Sequence, residues 1–152
     1  MSANVIDVTL TLDTSAYASG DVLAATQTVA SVFKVNGGRA ILDSLTVVDQ
    51  SDQKVALDVF FFSQSATFGT ENDPPSITDA EALYCLGYVS VVAGDYKDLT
   101  GAAVASGTNL RNLGLVLENG DDSKNLYVAV LNGTSTPTYA ATGLTLRLGL
   151  TY

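Results

Sequence analysis

Apolar and polar residues alternate along most of this chain, which is the pattern of strands with one buried face. Turn-forming residues separate the alternating segments, as they do between antiparallel strands. The segments that we predict as strands are residues 5–12, 26–35, 39–49, 54–62, 88–92, 110–118, 126–132 and 143–152. The pattern therefore predicts about eight antiparallel strands.

The apolar positions within these segments predict which side chains face a core. In the last strand, every second residue from Leu144 to Leu150 is leucine, which is the clearest alternation in the chain. In segment 39–49, Ile41, Leu45 and Val47 share one predicted face, while Leu42 and Val48 share the other. The three consecutive phenylalanines at 60–62 predict a strand end that is covered on both faces.

Two short polar segments have the composition of hairpin turns. Asn36-Gly37 lies between segments 26–35 and 39–49, and Asn-Gly is the strongest short signal for a hairpin because both residues tolerate positive φ. Residues 119–125 (NGDDSKN) similarly predict a hairpin between segments 110–118 and 126–132.

Residues 77–92 (ITDAEALYCLGYVSVV) begin with the pattern of a helix and end with that of a strand. Thr78 and Glu81 fit a capping box, Leu83 and Leu86 lie three residues apart, and Gly87 is placed to end the helix. We predict one short helix near residues 78–86. Because two turns are too short to be stable alone, we expect this helix to lie against the sheet and to cover one open end of a sandwich.

The order of elements predicts an all-β fold, a jelly-roll β-sandwich, in a single domain over residues 1–152. An immunoglobulin-like sandwich is the alternative. That fold is less suited to a capped helix between strands, and its Cys…Trp…Cys signature is absent because the chain has one cysteine and no tryptophan.

Charge and hydropathy exclude several classes of partner. The net charge of −9 argues against binding nucleic acid, where cations supply most of the affinity, and equally against anionic membranes. No apolar run approaches the roughly 18 residues that span a bilayer, and the N-terminus lacks the pattern of a signal peptide. We therefore expect a soluble protein that is made in a cytoplasm.

The chain offers little for catalysis. It has no histidine, which removes the commonest general base and the commonest metal ligand. A glycosidase needs only two carboxylates, and Asp7, Asp43 and Asp58, which fall within predicted strands, could lie in a cleft, but a solvated face is the commoner place for them. Cys85 lies among apolar residues and is expected to be a buried, inert thiol. We predict no enzyme, no cofactor and no small-molecule substrate.

One loop has residues that are suited to a hard cation. Asp121 and Asp122, with Asn119 and Asn125, supply the oxygens that calcium prefers. The spacing lacks the alternating ligands and the terminal bidentate glutamate of a known calcium loop. A solvated turn is favoured, and the sequence leaves open whether Asp121 and Asp122 bind an ion.

Four segments together carry a family resemblance: ILDSLTVVDQSDQKVALDVFFF, PPSITDAEALYCLGYVSV, GDYKDL and LYVAVLNGTSTPTYAATGLTLRLGL. From about residue 40 onward, the chain resembles the capsid decoration (cement) proteins of tailed bacteriophages that have a jelly-roll fold. The resemblance implies a virion protein, often a homotrimer, that is made in the host cytoplasm. It binds the major capsid protein on the capsid surface and bridges neighbouring subunits. It supplies no catalytic residues.

Some of the capsid contacts are expected from one of two segments, residues 2–7 or residues 94–109. Two other functions stay open. A carbohydrate-binding jelly roll, of lectin or tail-fibre type, predicts an exposed aromatic cluster or a calcium loop near residues 119–125. A hydrolase on the same scaffold predicts paired carboxylates that face each other in a cleft.

Overall fold

A computed structural model describes residues 1–99 and 105–152. The described part of the chain forms ten antiparallel strands, one short α-helix and one 3₁₀ turn at Ala93–Asp95. The strands are β1 (Ala3–Thr9), β2 (Val22–Val29), β3 (Arg39–Asp49), β4 (Leu57–Phe62), β5 (Cys85–Val91), β6 (Lys97–Asp98), β7 (Ser106–Gly107), β8 (Leu110–Glu118), β9 (Leu126–Asn132) and β10 (Leu144–Thr151), and the helix is α1 (Asp79–Ala82).

The strands form two sheets. In sheet A the order is β1-β10-β3, and the far side of β3 pairs with both β8 and the short β7, which in turn pairs with β6. In sheet B the order is β2-β9-β4-β5. The eight long strands thus form the layers β1-β10-β3-β8 and β2-β9-β4-β5, and most connections cross from one sheet to the other. This is the strand order of a jelly roll, which confirms the predicted fold class.

The core lies between the two sheets. Leu144, Leu146, Leu148 and Leu150 of β10 are all buried, as their alternation predicts, and the inner residues of β4 and β9 are buried opposite them. None of the helices in the described part of the chain has the length and apolar character needed to cross a membrane.

A β-bulge in β3 changes which residues face the core. Leu42 is fully buried, whereas Ile41 is 40% exposed, so the prediction that Ile41 shares the inner face with Leu45 is wrong. The register shifts between Leu42 and Ser44 against β8, and between Gly149 and Leu150 of β10 against β3. An extra residue in one strand moves the following side chains to the other face, which simple alternation does not anticipate.

Both predicted hairpins are wrong, because β2 and β9 belong to sheet B while β3 and β8 belong to sheet A. Asn36-Gly37 and residues 119–125 therefore connect the two sheets. The second strand covers Val22–Val29, where it pairs with β9, and not residues 26–35. Val32 and Phe33 are buried in the connection that follows, so their apolar character reflects the core and not a strand.

Residues 63–84, which join β4 to β5, form a covering segment over the outer face of sheet B. Ala66 and Phe68 of this segment pack with Phe62, Tyr127 and other outward residues of sheet B in a second apolar cluster. Phe60 also faces this cluster, with its ring centroid 5.1 Å from that of Phe68. Since Phe61 is buried in the main core, the prediction that this strand end is covered on both faces is confirmed.

The helix begins where it was predicted but is shorter than residues 78–86. Thr78 is its N-cap, and the Thr78 hydroxyl oxygen accepts a hydrogen bond from the Glu81 N–H at 3.2 Å. The helix ends at Ala82 because Cys85 already pairs with Phe62 in sheet B, and Gly87 lies inside β5. Ala82 lines an apolar pocket with Phe60 and Phe68, so α1 belongs to the covering segment and does not cover an open end of the sandwich.

Candidate interaction surface

A row of outward-facing residues, exposed except for the half-buried Thr151, crosses sheet A from edge to edge. Ala3 lies opposite Thr151, Thr151 opposite Ile41, and Ile41 opposite Val116, so the row has one residue from each of four neighbouring strands. Val116 is 55% exposed, and Val5, two residues along β1, is 61% exposed. We call these five residues the sheet A row.

The sheet A row borders a shallow depression of about 510 Å³ that Met1, Arg39 and Tyr152 also line. An exposed ion pair, Arg39 Nε to Glu118 Oε2 at 3.0 Å, lies at one edge. Residues 2–7, one of the two segments expected to contact a capsid, supply the β1 end of this surface. These residues also make up most of the edge strand β1, so their deletion would damage the sheet as well as the surface.

A second apolar surface lies along β5. Leu83 is 85% exposed, Tyr88 59% and Val92 56%, and we call these three residues the β5 strip. Leu83 was expected to pack on a helix face, and its exposure follows from the early end of the helix. Cys85 is also exposed, so the prediction of a buried thiol is wrong. A register shift near Cys85 in the pairing of β4 with β5 accompanies this change of face.

Tyr88 is supported from beneath by a second aromatic ring. Its ring stacks on that of Phe60, with centroids 5.3 Å apart and planes 28° apart. Within residues 1–99 and 105–152, Tyr88 is the one aromatic side chain that is more than half exposed. Aromatic rings that keep an exposed face and a fixed orientation are common anchors in protein interfaces.

An apolar groove of about 440 Å³ lies between the free edges of β5 and β8. Tyr88 and Ser90 line one wall, and Leu110, Leu113 and Leu115 line the other. The β8 wall is irregular, because Asn112 and Gly114 both have left-handed backbone conformations, with φ of 59° and 65°.

Charge is distributed unevenly between the two sheets. Residues 55–96, which include β4, the covering segment and β5, contain no lysine or arginine. The same residues contain six acids, which are Asp58, Glu71, Asp73, Asp79, Glu81 and Asp95. Strands β2 and β9 carry no charged residue, whereas Arg39, Arg111 and Arg147 all lie on strands of sheet A. The side of the molecule formed by sheet B is therefore strongly negative.

The candidate calcium loop is closed by its own hydrogen bonds. The buried Asn119 amide donates to Asp121 Oδ1 at 2.7 Å and to the Asn125 carbonyl at 2.9 Å. Ser123 and Tyr127 also donate to the Asp121 carboxylate. Hydrogen bonds from Ser123, then Tyr127 and Asn119, lower the pKa of Asp121 to about 2. Among the described residues, no group of three or more acidic, cysteine or histidine side chains is placed to hold a metal ion.

We expect Asp121→Asn to flatten the dependence of stability on acid pH. The folded pKa of Asp121 lies below its usual value of 3.8, so its contribution is present above pH 3.8 and is lost as the pH falls toward about 2. The carboxyl group is exposed to solvent, which limits this contribution to below about 1 kcal/mol. Urea unfolding at several pH values between about 2 and 6 measures it. The matched variant Asp122→Asn, outside these hydrogen bonds, should keep the wild-type slope, and an unchanged slope in Asp121→Asn would contradict the assignment.

The three strand aspartates that are candidates for a hydrolase pair are divided between the two sheets. Asp7 and Asp43 lie on sheet A, where Asp7 pairs with Arg147 at 2.8 Å and Asp43 accepts a hydrogen bond from Thr151. The hydrogen bond from Arg147 lowers the pKa of Asp7. Asp58 lies on sheet B beside Ser90. This placement does not bring two carboxylates face to face, and the absence of enzymatic activity stays a prediction.

Only part of segment 94–109, the second predicted contact region, can be placed. Residues 100–104 of this segment lie outside the described residues. The rest includes β6 and β7, which extend sheet A beyond β3, and Leu99, which is 61% exposed.

Comparison with known proteins does not assign a family. No protein-family model and no curated protein matches the chain. Among solved structures, a chain of Desmodium yellow mottle tymovirus aligns at 13% sequence identity and a TM-score of 0.30, over 98% of this chain and 85% of that chain. That TM-score is too low to establish a common fold, so the jelly-roll assignment is based on the strand order of sheets A and B. The decoration role that the sequence resemblance implies stays a proposal.

Proposed function

We propose that this protein is a structural virion protein that binds the outside of a phage capsid and bridges neighbouring major capsid subunits. The observation that carries the proposal is the pair of exposed apolar surfaces, the sheet A row and the β5 strip, on opposite sheets of one sandwich. A bridging protein needs two contact surfaces that are held at a fixed separation. The tightly packed core between the sheets provides that rigidity.

Two contacts on one rigid body bind more tightly than either contact alone. Once the first surface is bound, the second binds from a high effective concentration, so that two weak contacts give firm attachment. A homotrimer, as the resemblance implies, would multiply this effect, because each copy contributes both surfaces. The low fraction of charged residues, 15%, and the many threonine and serine residues also suit broad contacts with other proteins.

We expect one substitution on either surface to reduce attachment to capsids. Val116→Lys changes the sheet A row and Tyr88→Lys changes the β5 strip, and each places a charge in an exposed apolar contact. Phage capsids (heads) that were assembled without this protein would be mixed with each variant and sedimented. The number of copies bound per capsid would then be measured. Each variant should need at least about tenfold more protein than wild type for half occupancy, which corresponds to about 1.4 kcal/mol.

The matched control is Ser15→Lys, which adds the same charge in an exposed loop away from both surfaces. This variant should retain wild-type occupancy. If wild-type protein does not bind heads, or if both surface variants bind as wild type does, the proposal is wrong. Sedimentation equilibrium of the free protein tests the trimer separately.

A carbohydrate-binding module is the second candidate, and one observation favours it. The exposed Tyr88 ring lies on the same outer face as the Asp58–Ser90 hydrogen-bonded pair, and sugars bind to aromatic rings that have polar groups beside them. A glycan array that gives specific binding, lost in Tyr88→Ala, would favour this function over the capsid role.

A further inference from the structure

None of the described strands pairs with the outer edge of β5. In the described part of the chain, β5 pairs only with β4, so one row of its backbone N–H and C=O groups points away from the sheet. Pairing is regular from Tyr88 to Val91, opposite Phe60 to Leu57, so this part of the edge is straight. A straight edge of this kind is a template for another strand.

This edge lacks the features that usually block strand addition. Proteins protect exposed edges with charged side chains, prolines or bulges. The sequence of β5, CLGYVSV, has no charge and no proline, and its one bulge lies at the Cys85 end. By contrast, the β8 edge carries Arg111 and two residues with left-handed backbone. The edge of β5 is therefore more open to pairing than that of β8.

Apolar side chains follow this edge on both sides. The β5 strip exposes Leu83, Tyr88 and Val92 along one side, and the groove toward β8 presents Leu110, Leu113 and Leu115 on the other. An added strand sends alternate side chains to opposite faces, so a segment paired with β5 would place apolar groups against the strip or in the groove.

The negative charge around the β5 edge favours a partner segment that is positively charged. Asp58 accepts a hydrogen bond from Ser90, and Glu81 accepts one from Thr67, so these two carboxylates are bound by neutral donors. No cation from residues 55–96 neutralises them, and the facing strand β8 contributes only Arg111. A second copy paired edge to edge through β5 would bring like charges together, which is unfavourable.

We propose that the free edge of β5 binds an extended segment of another protein, one that alternates apolar residues with lysine or arginine and adds a fifth strand to sheet B. The proposal extends the capsid role. It rests on that role only for the identity of the partner, which would be the major capsid protein. Main-chain hydrogen bonds supply affinity in this mode, and the apolar and charged side chains supply selectivity.

A peptide experiment on the intact protein tests the proposal without capsids. The probe is an acetylated, amidated peptide that alternates lysine and valine and matches the seven residues of β5 in length. Binding is followed by NMR amide shifts of the isotope-labelled protein. We expect shifts that centre on Tyr88–Val91, and an affinity that falls at least about fivefold when salt is raised to about 0.5 M.

Two control peptides distinguish the contribution of charge from that of main-chain hydrogen bonding. Replacing lysine by glutamate should abolish binding, which tests the charge argument. Methylating alternate backbone nitrogens of the lysine peptide should also abolish binding, which tests strand addition because it removes the main-chain donors. Val92→Lys in the protein should weaken binding at least about tenfold, whereas the matched change Val35→Lys, at an exposed valine in the connection between β2 and β3, should have no effect.

Several results would overturn the proposal: no binding at millimolar peptide, shifts that centre away from β5, equal binding of the glutamate or methylated peptide, or a dimer of the protein that pairs through β5. The outcome is independent of the capsid role. If the peptide binds at β5 but heads do not bind the protein, only the capsid role is wrong. If heads bind and the peptide does not, only the β5 proposal is wrong.

Discussion

Replacing Asp49 by alanine is expected to lower the free energy of unfolding by about 3 kcal/mol, because it leaves several backbone donors without an acceptor. Asp49 is fully buried at the end of β3. Its carboxylate accepts hydrogen bonds from the N–H groups of Ser51, Gln53 and Lys54 at 2.9, 2.8 and 2.9 Å. The same turn holds Lys54 in a left-handed conformation, with φ of 50°, so these bonds also fix the backbone that leads to β4.

Equilibrium unfolding in urea measures this loss. Asp49→Asn keeps one acceptor oxygen and should recover part of the stability. This variant distinguishes the effect of losing hydrogen bonds from the effect of losing side-chain volume. The control is Asp7→Ala, which breaks only the exposed pair with Arg147 and should cost much less stability than Asp49→Ala, because exposed ion pairs contribute little. Equal losses in Asp49→Ala and Asp7→Ala would show that Asp49 does not hold the turn.

Leu148→Ala is expected to cost about 3 to 4 kcal/mol, through lost burial and the cavity that it leaves. Leu148 is fully buried in β10, where it lies between Ile6 of β1 and Leu45 of β3. The same change at Leu83, which is 85% exposed, should alter stability by no more than about 0.5 kcal/mol.

Leu148→Ala and Leu83→Ala are the same substitution at a buried and at an exposed position. Unfolding curves of the two variants should therefore differ by at least about 2.5 kcal/mol. A loss of similar size at both positions would mean that Leu83 is buried, either in the monomer or in an oligomer. Repeating the Leu83→Ala measurement across protein concentrations distinguishes these two cases, because an oligomer makes the unfolding midpoint depend on concentration.

Alternation of residues predicted most of the sandwich because most inner positions obey a period of two. The leucines of β10 and the phenylalanines of β4 were placed correctly for that reason. Alternation failed where the backbone adds a residue, as at the bulge that exposes Ile41. It also failed between strands, because a turn sequence such as Asn36-Gly37 specifies local φ values and not which sheet the next strand joins.

The candidate surfaces were harder to predict than the fold. The acidic composition of residues 55–96 is visible in the sequence, but its position on one side of the molecule depends on the jelly-roll order. Capping and spacing favour a helix over residues 78–86, which placed Leu83 on a helix face, and the apolar neighbours of Cys85 predicted a buried thiol. Pairing of β5 with β4 overrides that local preference and turns both residues outward.

The position of β10 at the centre of sheet A has a consequence for folding. β10 separates β1 from β3, and Ala3 pairs with Thr151 almost a whole chain length away. While the chain emerges from the ribosome, β1 and β3 have no common neighbour until residues 144–151 have been made. Topologies with such distant partners fold slowly, in milliseconds to seconds. Until β10 has been made, the edges of β1 and β3 that it will cover stay unpaired in the nascent chain and open to association with other chains.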